Sequence, residues 1–309
     1  MKNILITGGT GFIGQALVKK LLIQNNNITM IVLENELYKV PKNNKVKTII
    51  CSLDEIDKYY DILSKEKYDI IYHLAWSCVS TEYKNNYSIQ FKNVDYAYKI
   101  MELSSILKCK KVIATGSVSE YSYVDQPVNG KQRPCPADIY GAAKVAVNIL
   151  CDIYAKQHDI SFNWVLIPSV YGPGRDDNNI ITYVIKSILN KKYAKLTKLE
   201  QMWDYIYISD LADALVLIGD KGAINKTYVV GSGQSRQLKD YIYIIRDKID
   251  PLAKIGIGEL PYKTDRVDNS IVDISELIND TGYKPQISFE VGIMETIDYF
   301  KKNGDCNFV

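Results

Sequence analysis

Apolar residues along the first 165 positions alternate between two rhythms. Compact runs rich in β-branched residues occur at 3–7, 28–33, 46–51, 69–74, 111–115 and 161–167. Between them, apolar positions recur every three or four residues over 12–25, 54–64, 85–108 and 138–158. An unbroken apolar run of that length is a strand buried on both faces, and the longer period is an amphipathic helix. Strands separated by helices predict βαβ units, a parallel sheet and right-handed crossovers. The expected fold class is therefore α/β, with a doubly wound sheet. Beyond 167 the rhythm loosens into a Gly/Pro-rich loop at 171–174, a helix near 178–191 and a strand at 205–208. Helices follow near 209–219, 237–249 and 289–302. With no repeat, low-complexity tract or long linker, the second region is expected to pack on the first and leave a cleft.

Composition narrows the function classes. Of 309 residues, 47% are hydrophobic and 24% charged, the balance of an ordinary globular chain. Lys plus Arg number 38 against 36 acids, a net +2 that suggests neither a nucleic-acid footprint nor a polybasic membrane patch. No apolar run approaches the roughly 18–20 residues of a membrane helix. Met1 leads straight into an apolar strand without a charged leader, so a cytoplasmic protein is expected. The cysteines Cys51, Cys78, Cys109, Cys135, Cys151 and Cys306 are scattered, with only His73 and His158 beside them. That set is poor for zinc and reads as reduced thiols. The only arginines are Arg133, Arg175, Arg236, Arg246 and Arg266. Arg grips phosphate with a planar fork that Lys lacks, so those outside the first domain are ligand candidates.

The strongest local motif is Gly8-Gly9-Thr10-Gly11-Phe12-Ile13-Gly14, placed between a strand and a helix. Gly8 permits the tight turn, Gly11 lets backbone approach a pyrophosphate, and Gly14 allows close packing of helix on strand. Phe12 and Ile13 open a helix whose free N–H groups and positive dipole end suit phosphate. The fold expected is thus a Rossmann-type dinucleotide-binding one. At the end of the second strand stands Glu34, an acid able to accept from the adenosine ribose hydroxyls and to repel a 2′-phosphate. It favours NAD, with NADP as the alternative.

Tyr140 and Lys144 stand four residues apart on a predicted helix, so phenol and ammonium share one face. A free tyrosine, with pKa about 10, is a weak acid–base near neutrality, and a neighbouring cation draws it down. Ser117 closes the fifth strand at its carboxyl end, where ligands of such sheets bind, and can hydrogen-bond a substrate alcohol or ketone.

In these motifs the chain resembles the extended short-chain dehydrogenase/reductase family, in its nucleotide-sugar epimerase/dehydratase/reductase branch. The likeness runs nearly end to end: Gly8–Gly14, Tyr72-His-Leu-Ala75, Asn93-Val94, Thr115-Gly-Ser117, Tyr140–Lys144, Val170-Tyr-Gly-Pro-Gly174, Trp203-Asp-Tyr-Ile-Tyr-Ile-Ser-Asp210, Gly231-Ser-Gly233 and the tail from Asp273 to Ile293. The resemblance implies a Rossmann domain over 1–167, with 204–232 returning to it, and a smaller C-terminal substrate-binding region from 168–203 and 233–309. It implies Tyr140 as acid/base, Lys144 as its tuner and ribose ligand, and Ser117 as the group orienting the sugar oxygen. Leu74, Ala75 and the segment ending at Pro168 would line the nicotinamide side. Ser52 and Leu53 would meet adenine, although Ser52 replaces the usual acid. His73 would be structural. A homodimer through the helices at 85–108 and 138–158 is also implied, with Tyr98, Met101, Leu103, Val147, Leu150 and Tyr154 on their apolar faces.

Reaction type turns on the residues after Ser117. The family's 4,6-dehydratases carry an Asp-Glu pair there, whereas this chain has Val118-Ser119. Gly-Ser-x-x-Glu120-Tyr121, Gln201-x-Trp203-Asp-Tyr205 and Pro261-Tyr-Lys263 resemble reductases of 4-keto-6-deoxy nucleotide sugars. Trp203 stands where many relatives have an Arg for the sugar-nucleotide diphosphate, leaving Arg236, Lys263 and Arg266 as candidates. Glu120, Ser169, Arg175 and Gln201 complete the expected substrate contacts. The expected activity is hydride transfer at C4 of a nucleotide-diphosphate sugar. A C4 epimerase with tightly bound NAD is the alternative, and a non-catalytic nucleotide sensor the lesser one.

Overall fold

The six apolar runs of the N-terminal half become β1 (Asn3–Thr7), β2 (Asn27–Val32), β3 (Val46–Ile50), β4 (Ile70–His73), β5 (Lys111–Ser117) and β6 (Ser161–Ile167) of one parallel sheet. The chain is described here by a computed structural model covering residues 1–80, 82–122, 124, 126–175, 177, 179–262 and 269–303. Helices α1 (Phe12–Ile23), α2 (Tyr60–Leu63), α3 (Tyr87–Ile106) and α4 (Ile139–Gln157) link the strands. The 54–64 stretch departs from the expected helix. Most of it, Leu53–Tyr59, is a 3₁₀ turn in which Ile56 alone is buried, too narrow an apolar face to carry a full helix.

The second half contributes β7 (Ser169–Tyr171), α5 (Ile180–Leu189), β8 (Ala194–Leu196), β9 (Met202–Trp203), β10 (Tyr205–Tyr207), α6 (Ile208–Lys221), β11 (Lys226–Val229), β12 (Arg236–Gln237), α7 (Leu238–Ile249), β13 (Ile255–Ile257), α8 (Ser275–Thr281) and α9 (Phe289–Asn303). The main sheet runs β3-β2-β1-β4-β5-β6-β11, every neighbouring pair parallel. Its order reverses between β1 and β4, the point at which doubly wound sheets open a ligand crevice at their carboxyl ends. Right-handed crossovers leading away from that point put α1 on one face and α3 with α4 on the other. Helix α6 packs beside α1. It lies so close to β4 that the Tyr72 hydroxyl donates to the Leu215 carbonyl at 3.2 Å. A Cβ on Gly219 would stand 2.1 Å from that hydroxyl, so only glycine fits there.

Outside the main sheet, β7 pairs with β10 and β8 with β13, both parallel, while β9 pairs antiparallel with β12. Tyr171, Tyr205, Tyr241 and Phe289 form an aromatic cluster that joins these pieces, with Phe289 centred 4.8 Å from Tyr171 and 4.6 Å from Tyr241. The Asp210 carboxylate accepts from the Gln286 and Ile287 N–H groups at 3.0 and 2.9 Å, fastening the C-terminal segment to α6.

Helices α3 and α4 lie side by side. Of the residues on their apolar faces, Met101, Leu103 and Val147 are buried in the core, because those positions face the sheet. The outward apolar surface is made by Tyr87, Phe91, Tyr98, Ile149, Leu150 and Ile153. Among the described residues, no helix is long and apolar enough to cross a membrane.

Candidate active site

The glycine turn is tight enough that side chains are excluded from it. Gly8 has φ +73°, and a Cβ there would sit 2.5 Å from the Ala75 nitrogen. Gly11 is the N-cap of α1, and a Cβ there would approach only the Gly8 carbonyl, at 3.4 Å. Its open side belongs to a cavity of about 500 Å³. Gly8, Gly11, Ser52, Leu53, Leu74 and Ala75 all lie on the wall of that cavity, so the turn after β1 and the ends of β3 and β4 meet around it. Phe12 and Ile13 are half-buried in the first turn of α1, and Pro168 is buried between β6 and β7.

Glu34 does not reach the cavity. Strand β2 stops at Val32, and the chain enters a 3₁₀ turn that leaves Glu34 exposed and carries Glu36 back to the wall. The Thr10 hydroxyl donates to Glu36 Oε2 at 2.6 Å, and Lys39 Nζ donates to Oε1 at 3.1 Å. Burial pushes the Glu36 carboxyl up, but these two bonds outweigh it and hold the group below the usual carboxylate range. The strand ends one residue before its apolar pattern does, and the acid on the cavity wall is Glu36.

Ser117, Tyr140 and Lys144 come together at the carboxyl end of β5. Ser117 caps the 3₁₀ turn Val118–Tyr121, its hydroxyl accepting from the Ser119 N–H at 3.1 Å. Asp138 caps α4 by accepting from the Gly141 N–H at 2.7 Å, which fixes the turn bearing Tyr140. The edge of Trp76 meets the Tyr140 ring at 5.8 Å and 85°. Lys144 Nζ donates to the Thr115 carbonyl at 2.6 Å and lies 3.6 Å from the centre of the Trp76 ring.

Tyr140 was expected to titrate below the free phenol, and here it does not. Burial pushes it up to about 12, the Ser117 side chain pulls it down, and the charges of Glu120 and Asp138 raise it further. The phenol therefore keeps its proton across the neutral range. Lys144 is driven well below the usual ammonium value by burial, against the opposing charge of Glu120. His73 is buried, with Nδ1 2.7 Å from the Thr7 hydroxyl, and burial followed by the Lys144 charge lowers it to about 3, so it is neutral and structural.

Glu120, expected among the substrate contacts, faces away from the cavity. It has no exposed surface, and its Oε1 accepts from the Ser117 N–H at 2.9 Å. Ser117 and Glu120 form a reciprocal capping box, and that bond turns the carboxylate inward. Ser169 accepts from Trp203 Nε1 at 2.9 Å, and Gln201 accepts from the Tyr262 hydroxyl at 3.3 Å. The Arg175 guanidinium binds Asp177 at 2.7 Å and also donates to the Val170 carbonyl. Arg236 is ion-paired with Glu290 beside a separate cavity of about 170 Å³. Both guanidiniums are ion-paired within the chain, and Arg236 also lines that cavity. Lys263 and Arg266 lie outside the described residues, as does Cys306. Trp76, which covers Lys144 and Tyr140, carried no signal in the sequence, because an aromatic after a strand is ordinary.

The family model described as "NAD dependent epimerase/dehydratase family" matches residues 4–231. CDP-abequose synthase of Salmonella typhimurium is 27% identical over 309 residues, covering 95% of this chain and 97% of the relative. The dTDP-4-dehydro-6-deoxyglucose reductase of Escherichia coli is 25% identical over 310 residues, covering 96% of each. The dTDP-glucose 4,6-dehydratase of Haemophilus influenzae is 24% identical over 341 residues, covering 99% of this chain and 100% of the relative. Among solved structures, a UDP-glucose 4-epimerase of Thermotoga maritima with UDP-glucose superposes with a TM-score of 0.88 at 22% identity, covering 97% of this chain and 99% of that one. A UDP-glucuronic acid 4-epimerase of Bacillus cereus with UDP-glucuronic acid and NAD gives 0.87 at 23% identity, covering 97% and 99%. At those identities the structural likeness is one of fold.

Proposed function

The chain belongs to the NAD-dependent epimerase/dehydratase family of nucleotide-sugar enzymes, and we propose that it interconverts ketone and alcohol at C4 of a nucleotide-diphosphate sugar, with ketoreduction as the forward direction. One observation carries this reading. Among the described residues, the turn after Ser117 carries one carboxylate, Glu120, which has no exposed surface, so that turn presents Tyr140's neighbour Ser117 and no acid to a substrate. Elimination chemistry lacks its acid–base pair, whereas C4 reduction needs only a phenol.

The glycine turn fits a dinucleotide, because the surface left bare at Gly11 opens on the cavity at the N-terminus of α1. NAD supplies hydride exchange at the nicotinamide ring when bound. The chain's own groups do the rest. Tyr140 gives its proton to the oxygen forming at C4, Ser117 orients that oxygen, and Lys144 holds the nicotinamide ribose. Glu36 takes over the ribose role expected of Glu34, and its carboxylate disfavours a 2′-phosphate. Lys39, already paired with Glu36, is the residue through which NADP would enter. The segments 168–203 and 233–309 hold the sugar nucleotide.

The direct test is a 340 nm assay of the purified chain with CDP- and dTDP-4-keto-6-deoxyglucose, each with NADH and with NADPH. Cofactor oxidation in proportion to ketosugar, faster with NADH, is expected. No oxidation with either cofactor, together with interconversion of C4 epimers without added cofactor, would establish the epimerase instead.

We also infer a homodimer through α3 and α4, since these neighbouring helices expose Phe91, Tyr98, Ile149 and Ile153. Light scattering should give twice the chain mass of 35.1 kDa. Ile153→Glu, which puts a charge on the 49%-exposed position, should shift it toward monomer.

A further inference from the structure

Glu120 lies directly behind the site without reaching it. The space it occupies exists because position 116 is glycine: a Cβ there would stand 2.6 Å from Glu120 Oε1 and 2.4 Å from Trp164 Nε1. Oε1 accepts from the Ser117 N–H at 2.9 Å and from Trp164 Nε1–H at 3.1 Å, and Oε2 shares the indole proton at 3.2 Å. Both donors are neutral. A carboxylate with no exposed surface is costly to ionise unless a cation shares its surroundings. Lys144, 3% exposed, is in the converse position: its ammonium is served by one carbonyl and the face of Trp76, and it lies 5.7 Å from the ring of the same Trp164 whose indole N–H holds Glu120, so the two charges flank one indole without a direct ion pair.

We propose that Glu120 is a positioning residue for the reaction: its buried carboxylate is the counter-charge that keeps Lys144 an ammonium ion in a dry interior. Lys144 thereby keeps the charge with which it holds ribose and supports Tyr140. The inference rests on the reading of Tyr140 and Lys144 as the catalytic pair.

The titrations agree in direction. Burial pushes Glu120 up, opposed by the Ser117 N–H, the Lys144 charge and the Trp164 indole, while burial pushes Lys144 down and Glu120 opposes it. The other titratable groups around the pair do not supply a compensating charge. Tyr121, on the same turn, is raised to about 12 by burial and then by Glu120. Tyr140 on α4 is likewise raised to about 12, with Asp138 contributing, and His73 at the end of β4 is neutral. From β6 comes only the indole of Trp164.

The test is NMR of the full chain labelled with ¹³C at lysine Cε, with Lys144 assigned by the signal missing in Lys144→Met. Glu120→Gln keeps the Oε1 that accepts both N–H bonds and removes the charge, with an NH₂ in place of the Oε2 that shares the indole proton. Lys144 should then lose its proton about one pH unit lower than in the wild type, tenfold in proton affinity. The alkaline limb of kcat/KM should move down by the same amount. An unmoved Lys144 titration overturns the proposal. So does an equal shift in Trp164→Phe, which removes the indole N–H but leaves the carboxylate. If Glu120→Gln fails to fold, Lys144→Met reads the coupling from the other side: Glu120, followed at ¹³Cδ, should keep its proton to higher pH, and no change overturns the proposal. None of these titrations needs turnover. Absent ketoreduction with a shifted Lys144 would therefore sink the catalytic reading and leave the charge pair standing.

Discussion

Tyr140→Phe should lower kcat for ketosugar reduction about 10²–10⁴-fold, the usual contribution of one positioned proton donor. Cofactor binding should change little, because the ring, its edge contact with Trp76 and the turn capped by Asp138 do not depend on the hydroxyl. A nucleotide sensor would tolerate the change, so full function in the variant sinks the enzyme reading. The pH dependence has a definite sign. Reduction uses the protonated phenol, and a group pushed up to about 12 remains protonated as pH rises through neutrality. Loss of rate on the alkaline side is therefore expected first from Lys144, whose ammonium is lost below its usual range as pH rises. The reverse, oxidative direction uses the phenolate as base and should speed up over the same interval. A reduction rate that rose from pH 7 to 9 would contradict a phenol donor. It would point to a different residue or to a step other than proton transfer.

The frame of the molecule was legible because it is built from strong local signals. Six strands were readable as compact runs rich in β-branched residues, and the glycine turn and the Ser117, Tyr140, Lys144 set depend on spacing that the strand ends and α4 preserve. What was not legible depends on contacts distant in sequence. Strand β11 is four residues long, with Lys226 and Thr227 half-buried, and is a strand because β6 offers an edge to pair with. The acid on the cavity wall is Glu36 rather than Glu34 because the strand ends at Val32 and a 3₁₀ turn follows, a local change that pattern alone does not fix. Glu120 is the instructive case. Ser117-Val-Ser-Glu120 has the spacing of a capping box, which forecasts a glutamate bonded back to the chain rather than aimed at a ligand. The signal was in the sequence, but the position of Glu120 shortly after Ser117 made a substrate contact the more natural reading. The ion pair of Arg236 with Glu290 was not legible either, because 54 residues separate the two.

Gly14→Ala should be as damaging to the fold and to cofactor binding as Tyr140→Phe is to chemistry, and for a reason that helix propensity alone gets backwards. Gly14 lies in the first turn of α1, where alanine would gain about 1 kcal/mol of helix propensity over glycine. Against this, its Cβ would stand 2.1 Å from the Gly8 carbonyl oxygen and 2.6 Å from Gly9 Cα, where ordinary contact begins at 3.4 Å. Both obstacles are backbone, so neither can swing aside as a side chain would. Relief requires moving α1 off the turn by an ångström or so, and Gly8 cannot follow, being pressed against Ala75 of the neighbouring strand end. Overpacking a well-filled core costs about 1–3 kcal/mol and more where the backbone must move, so the clash outweighs the propensity gain. The helix N-terminus would also be displaced from the phosphate site, and NAD affinity should fall together with the melting temperature. Gly282→Ala is the matched control: Gly282 has φ +74° but nothing within 4 Å of an added Cβ, so it isolates the strain of left-handed backbone, about 1–2 kcal/mol, with no consequence for NAD. Equal losses of NAD affinity in the two variants, or a Gly14→Ala protein as stable as the wild type, would show that the turn does not hold α1 in the way its geometry requires.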